Sequence, residues 1–306
     1  MNKVWFITGA GNGIGAGTAR AALKAGERVV ATARKLDKVR KALGDVAGEN
    51  LAFVQLDVTD EAQAKSAVEQ AIKRFGRIDV AVNNAGYSLL GNFEAMSAAE
   101  IEAQFEPNFY GVVHVMHAVL PIMRKQRSGH MINISSVAGV VGQKHCAAYA
   151  ATKFAVEGLS LSAATEVEPF GIKITLVEPG FFRTDLLDAK NVRWTTQVVD
   201  DYVAEGTPEK MWSRYSGTQP NDPAKLGDAL VRIAALAKPP KYFVAGSDAL
   251  AAITPAIEER LEAMKAFDDL SKSTEGTFSI HLGDGGNPSA SAEAKFARNG
   301  RRCLWP

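Results

Sequence analysis

Lys3-Val4-Trp5-Phe6-Ile7-Thr8-Gly9-Ala10-Gly11-Asn12-Gly13-Ile14-Gly15-Ala16-Gly17 is the stretch that decides the fold. The apolar run Lys3–Thr8 reads as a buried strand, the glycines as a tight turn, and the alanine-rich stretch to Ala25 as a helix. A strand that passes through glycines into a helix brings unpaired N–H groups and the positive end of the helix dipole to one point. In Thr8-Gly9-x-x-x-Gly13-Ile14-Gly15 the missing side chains let the backbone approach a pyrophosphate at the helix N-terminus. A glycine-rich loop without a ligand is the competing account of this motif taken alone.

Outward from that turn, Gly26 ends the helix and Arg28–Ala33 reads as the second strand. Dinucleotide-binding folds carry an acid near this strand end for the 2′-hydroxyl of NAD, or an Arg for the 2′-phosphate of NADP. Here Ala33 is followed by Arg34-Lys35, with no carboxylate at the spot. A solvated charge at a strand end is the other account of Arg34, but the missing acid favours NADP(H).

The alternation continues down the chain. Leu51–Leu56 is a third strand, with Thr59 or Asp60 capping a helix to about Phe75; Asp57 is either turn chemistry or an acceptor for an adenine amino group. Ile78–Val82 is a fourth strand ending in the turn Asn83-Asn84-Ala85-Gly86. Ser97 and Glu100 form a capping box opening a long helix to about Arg127, which Pro107 should bend near Asn108. His130–Ser135 is a fifth strand, Ala147–Val167 a helix and Ile172–Val177 a sixth strand; Asp222–Lys238 is a helix and Lys241–Ala245 the last strand. A helix capped by Ser247 then runs to about Leu270, with a kink at Pro255. Such alternation predicts an α/β fold: a single-domain, doubly wound parallel sheet of about seven strands with helices on both faces. The domain is expected over residues 1–275, with a flexible tail over 276–306 that is rich in Gly, Ser, Asn and charge. Within the domain, residues 181–220 are irregular and aromatic, which reads either as a lid forming an apolar substrate wall or as packing onto the domain's own core.

Chemistry concentrates in Tyr149-Ala150-Ala151-Thr152-Lys153, with Ser135-Ser136 upstream. On a helix, Tyr149 and Lys153 share a face one turn apart. An adjacent ammonium favours the ionised phenol and should lower its pKa from about 10 towards working range, while a serine hydroxyl holds a carbonyl oxygen beside it. Tyr-x-x-x-Lys also arises readily by chance, so its meaning depends on its company.

That company is ordered: Thr8-Gly9-x-x-x-Gly13-Ile14-Gly15, Asn83-Asn84-Ala85-Gly86, Asn108, Ser136, Tyr149-x-x-x-Lys153 and Pro179-Gly180-x-x-x-Thr184. Together the motifs resemble the short-chain dehydrogenase/reductase family, in its shorter branch, over about residues 3–270. The resemblance implies Ser136, Tyr149 and Lys153 as a catalytic triad with Asn108 completing a proton relay; Ser136, thirteen residues before Tyr149, has the family spacing that Ser135 lacks. It further implies that Gly9, Asn12, Gly13 and Ile14 line the pyrophosphate, and Asp57 and Val58 the adenine. Asn84, Ala85 and Gly86 would lie along the ribose side, with Tyr149 and Lys153 at the nicotinamide ribose and Pro179, Gly180 and Thr184 at the carboxamide. Arg34 resembles the subgroup that prefers NADP. Assembly as a homodimer or homotetramer is common in the family.

Composition narrows the remaining options. The chain of 306 residues is 46% hydrophobic and 23% charged with a net charge of +1, which gives no long-range field for nucleic acid or an anionic membrane. Cys146 and Cys303 are too few for a disulfide framework, and no apolar run reaches membrane-spanning length. Met1–Gly9 lacks the apolar region and cleavage site of a secretion signal, so a cytoplasmic protein is expected. His114 and His117 lack a third ligand and no metal site is expected; Cys146, three residues before Tyr149, reads as a small buried thiol. The expected activity is hydride transfer between NADP(H) and the carbonyl or secondary alcohol of a largely apolar small molecule. The alternatives are an NADP-binding regulatory protein without turnover, from which loss of Tyr149 or Lys153 would be expected, and an epimerase or dehydratase on the same fold.

Overall fold

The computed structural model describes residues 2–46, 48–188 and 191–276; the expected tail, beyond Gly276, lies outside them. Seven strands form one parallel sheet: β1 (Val4–Ile7), β2 (Arg28–Ala33), β3 (Leu51–Gln55), β4 (Val80–Asn83), β6 (Gly129–Ile134), β7 (Ile172–Pro179) and β9 (Tyr242–Ala245). Their order is β3-β2-β1-β4-β6-β7-β9. The winding reverses between β1 and β4, which opens a crevice at the carboxyl ends of the strands, where ligands bind in such sheets.

Alternating strand residues feed two cores. Phe6, Val30, Ala81, Met131 and Leu176 pack against α3 (Glu61–Phe75), α5 (Gly111–Gln126) and α6 (Ala147–Val167) on one face. Trp5, Ile7, Val29, Ala31 and Val82 pack against α1 (Gly13–Lys24), α2 (Leu36–Leu43) and α8 (Pro223–Ala235) on the other. The elements fall where the sequence puts them to within a few residues, and β2 and α6 match it at both ends. Asp60 is the cap of α3, its carboxylate accepting from Gln63 N at 3.0 Å.

The expected long helix from Ser97 is broken in two. The capping box is present and opens α4 (Ala98–Phe105), but a π turn over Glu106–Tyr110 separates it from α5. Pro107 has no N–H to give, and the wider turn absorbs that loss by sending Gly111 N to Glu106 O. The sequence reading passed over two further features. One is α2; the other is a two-stranded parallel pair, β5 (Leu89–Leu90) with β8 (Arg193–Trp194), each strand only two residues long.

The chain divides into two compact units, Met1–Glu259 and Arg260–Pro306. Among its described residues the second carries the end of α9 (Ser247–Ala266) and α10 (Asp268–Lys272), whose side chains are exposed. Among the described residues no helix is long and apolar enough to cross a membrane.

Candidate active site

The turn between β1 and α1 is held from below by a hydroxyl and an amide. Thr8 Oγ1 accepts from the backbone N–H groups of Asn84 at 2.9 Å and Ala85 at 3.1 Å, while Asn84 Nδ2 donates to Thr8 O at 3.0 Å and Gly9 O at 3.2 Å. Gly9 and Gly13 take the left-handed conformation, at φ 65° and 51°. The approach is so close that a Cβ on Gly15 would stand 2.4 Å from Gly9 O. The first intrahelical bond of α1 is Ala16 N to Asn12 O at 3.1 Å, which leaves the N–H groups of Gly13, Ile14 and Gly15 ahead of the ladder. Asn12 does not cap them, since its amide reaches Asp185 Oδ2 at 3.3 Å, and no acid sits in the first turn. The result is a cradle of amides, free of side chains, that fits a pyrophosphate.

Around it stand the other residues expected at a dinucleotide. Arg34 is exposed at the end of β2, and its positive field reaches the phenol of Tyr87. Asp57 commits Oδ1 to its own turn, accepting from Thr59 N at 3.1 Å and Thr59 Oγ1 at 2.9 Å. Val58 is buried against Gly111, and Gly86 is small because a Cβ there would stand 2.9 Å from Asn108 Oδ1.

Asn108 is 1% exposed and tied on three sides. Its Oδ1 accepts from Tyr87 N at 3.1 Å, and its Nδ2 donates to Tyr87 O at 3.0 Å and Thr152 Oγ1 at 3.3 Å. The π turn at Pro107 thus places Asn108 between the strand-end loop and α6. A second buried chain, Asn83 Nδ2 to Asn133 Oδ1 at 2.8 Å and Asn133 Nδ2 to Ser160 Oγ at 2.7 Å, joins β4, β6 and α6.

On α6 the structure brings Ser136, Tyr149 and Lys153 together. The phenol of Tyr149 shares a hydrogen bond with Ser136, whose Oγ also accepts from Ala138 N at 3.1 Å. Lys153 is 6% exposed; its Nζ donates to Ile134 O at 2.8 Å and lies 5.7 Å from the centre of the Tyr149 ring. Ser135, by contrast, faces the Glu157 carboxyl.

The electrostatics correct one expectation. The phenol is not lowered by its lysine: burial pushes Tyr149 up to about 12, with the Ser136 hydrogen bond pulling the other way and Cys146 adding slightly. Tyr149 keeps some surface, yet the protein packed around it makes desolvation the dominant effect. Burial equally pulls Lys153 down to about 8, opposed by the charge of Glu157.

The irregular segment starts and ends at one clamp. Asp248 accepts from Phe181 N at 2.7 Å and from Asn221 Nδ2 at 2.7 Å, and Asn221 Nδ2 also meets Phe181 O at 2.9 Å. Gly180, after Pro179, must be small, because a Cβ there would stand 2.4 Å from the Asp248 carboxylate. Thr184 lies against Gly13, 2.9 Å from where a Cβ would be. Most of the segment's aromatics pack on one another: Phe181 stacks on Tyr215 at 4.9 Å, and Trp212 and Trp194 join Leu90, Leu187 and Cys146 in a small core. Cys146 is indeed a buried thiol, raised to about 12 by burial. His114 Nδ1 lies 2.9 Å from Val58 O.

Sequence reasoning passed over Thr8, Thr152, Glu157 and Asp248 as site residues. Glu157 carried a signal, standing four residues after Lys153 on the same helix face. Asp248 carried none, being 67 residues from the amide it holds.

Comparison with known proteins places the chain in a family. The model of the short chain dehydrogenases matches residues 3–193. The chain is 40% identical over 251 residues to oxidoreductase BOA17 of Botryotinia fuckeliana, covering 82% of this chain and 91% of that one. It is 39% identical over 241 residues to the 3-ketodihydrosphingosine reductase of Bacteroides thetaiotaomicron, covering 78% and 86%. The crystal structure of a short-chain dehydrogenase from Streptomyces avermitilis superimposes with a TM-score of 0.81 at 34% identity, covering 90% of this chain and 99% of that one. Among the solved neighbours some hold NADP and another NAD.

Proposed function

The chain belongs to the short chain dehydrogenase family of oxidoreductases, and from that premise we propose that it transfers hydride between NADP(H) and the carbonyl or secondary alcohol of a largely apolar small molecule. The observation that carries this is the Ser136–Tyr149–Lys153 cluster at the same sheet edge as an amide cradle that fits a pyrophosphate. NADPH, when bound, supplies the hydride.

In the reducing direction Ser136 holds the carbonyl oxygen and Tyr149 Oη gives it a proton. A phenol at about 12 stays protonated at neutral pH and is therefore ready as a donor. The phenolate left behind is stabilised by the nearby Lys153 ammonium, which also binds the nicotinamide ribose. Asn108, locked to Tyr87 and Thr152, fixes the start of α5 against α6 and stands as the next member of the proton path. Gly9, Asn12, Gly13 and Ile14 hold the pyrophosphate, Asp57 and Val58 the adenine, Asn84, Ala85 and Gly86 the ribose side, and Pro179, Gly180 and Thr184 the carboxamide. Arg34, with no acid at Ala33, supports the 2′-phosphate of NADP over the hydroxyl of NAD.

An apolar substrate wall is supported by the partly buried Phe181, Trp194 and Tyr215, which pack on the small core that holds Cys146, three residues from the proposed proton donor. A relative named as a 3-ketodihydrosphingosine reductase accords with such a wall. Assembly as a homo-oligomer accords with Tyr110 in the π turn and Phe154 on α6, each 46% exposed. The test is to mix the protein with NADPH and a panel of aldehydes and ketones of graded chain length and follow NADPH absorbance. Consumption rising with apolar chain length is expected; no consumption across the panel would favour a cofactor-binding protein without turnover.

A further inference from the structure

Tyr149, Lys153 and Glu157 follow one another at four-residue steps and form a line down one face of α6. The third is the unexplained one. Glu157 is 8% exposed, and its Oε1 has no hydrogen-bond partner among the described residues. Ser135 lies beside it, close enough to depress its pKa, although Ser135 Oγ completes no well-formed hydrogen bond either. The packing around Gly139 shows how tightly these groups converge: a Cβ there would stand 2.4 Å from Ser135 Oγ and 3.3 Å from both Glu157 Cγ and Lys153 Cβ. A second acid, Glu178 on β7, is 3% exposed, and its charge acts on Glu157.

Burying a carboxyl with an unsatisfied oxygen is unfavourable, and an apolar side chain would fill the same space without that penalty. Resting on the reading of Tyr149 and Lys153 as the proton-transfer pair, we propose that Glu157 is a positioning residue whose carboxylate sustains the positive charge of Lys153. Ile134 O orients the ammonium but is a neutral acceptor; the full opposite charge comes from one turn further down α6.

Each neighbouring element contributes a charged or titratable group. Lys153 and Tyr149 lie on α6, Glu178 on β7, and Tyr242 on β9, whose phenol is raised by burial and then by Glu157 and Glu178. Burial and Glu178 raise Glu157 to about 7, against Ser135 and Lys153, while burial lowers Lys153 to about 8 against Glu157. Removing the Glu157 charge therefore lets Lys153 lose its proton at lower pH, narrowing the active range from the alkaline side. Removing Glu178 should matter far less at that limit, because Glu157, at about 7, is already mostly ionised there.

The experiment measures NADPH affinity by fluorescence, and kcat for reduction of a good carbonyl substrate, as functions of pH. Both should decline in the unmutated protein as Lys153 deprotonates near pH 8. Glu157→Gln keeps the shape and should move that alkaline limit down by about one pH unit in both measurements. Glu157→Asp should restore part of the shift, and Glu178→Gln should leave the limit nearly in place. A limit unmoved in Glu157→Gln, whether or not the melting temperature changes, would overturn the inference and leave the residue as core filling. Turnover surviving in Tyr149→Phe would overturn the proton-transfer assignment and this inference with it. Turnover lost in Tyr149→Phe beside an unmoved limit in Glu157→Gln overturns the inference alone.

Discussion

The glycine turn before α1 and the face of α6 lie at the same edge of one sheet, yet they manage charge by opposite means. The turn presents backbone amides and empty space, clamped by Thr8 and Asn84, and contains no ionisable group of its own. The face of α6 presents a phenol, an ammonium and a carboxyl, each pushed by burial towards its neutral form. An amide cradle is ready for an anion in the folded chain and needs no proton to be in place. A buried side-chain cluster works only while its protons are correctly distributed, so chemistry and pH sensitivity belong together on α6.

The sharpest way to separate the two regions is Tyr149→Phe. It removes one oxygen and keeps the ring, so NADPH should still bind, seen as fluorescence enhancement or thermal stabilisation, while turnover falls by at least ~10²-fold. Lys153→Met should impair affinity and rate together, since one charge serves both. A Tyr149→Phe protein with most of its activity would show that the proton donor lies elsewhere.

Next in size is Arg34→Asp, just past the end of β2. It should weaken NADPH by about 1–3 kcal/mol, the loss of a charge-assisted phosphate contact, and leave NADH affinity nearly unchanged. Dissociation constants for the two nucleotides decide it, and equal affinity of the unmutated protein for both would contradict it.

Gly15→Ala probes the cradle where space is its only asset. The added Cβ meets a backbone oxygen at 2.4 Å, so the turn must shift, which should reduce stability by about 2 kcal/mol and weaken nucleotide binding while leaving the α6 groups in place. Thermal melts with and without NADPH measure both effects. An unchanged melting temperature and unchanged affinity would mean that the turn is looser than its contacts indicate.

The smallest effect is expected from truncation after Gly276. The composition of 276–306 lacks the apolar content to join a core, so melting temperature and turnover should stay within error of the full chain. A large fall in either would place Leu304 and Trp305 among the groups that support one of the two regions.

Much of the fold was legible because its signals are local. The glycines of the first turn, the capping box at Ser97 and Glu100, and the 21 helical residues of α6 each declare themselves within a few positions. The α2 helix and the β5–β8 pair were not legible: one is eight charge-rich residues, and the other consists of two-residue strands about a hundred positions apart. The π turn at Glu106–Tyr110 was half legible, since Pro107 announces a disturbance without saying how the ladder will absorb it. The aromatics of residues 181–220 were readable as a group, but their stacking on one another follows from both ends of the segment meeting at Asp248.

By itself, then, the order of residues determined the parallel α/β architecture, the amide cradle and the identity of the Ser136–Tyr149–Lys153 cluster, because these depend on backbone geometry and on residues one turn or one strand apart. The tertiary structure alone decided the direction in which the pKa values of that cluster move. Tyr149 and Lys153 stand at the spacing that suggests a lowered phenol, but the protein packed around them removes the water that would stabilise either charge. Desolvation, together with carboxyls brought in from α6 and β7, depends on every element that surrounds a group, and no local pattern along the chain carries that information.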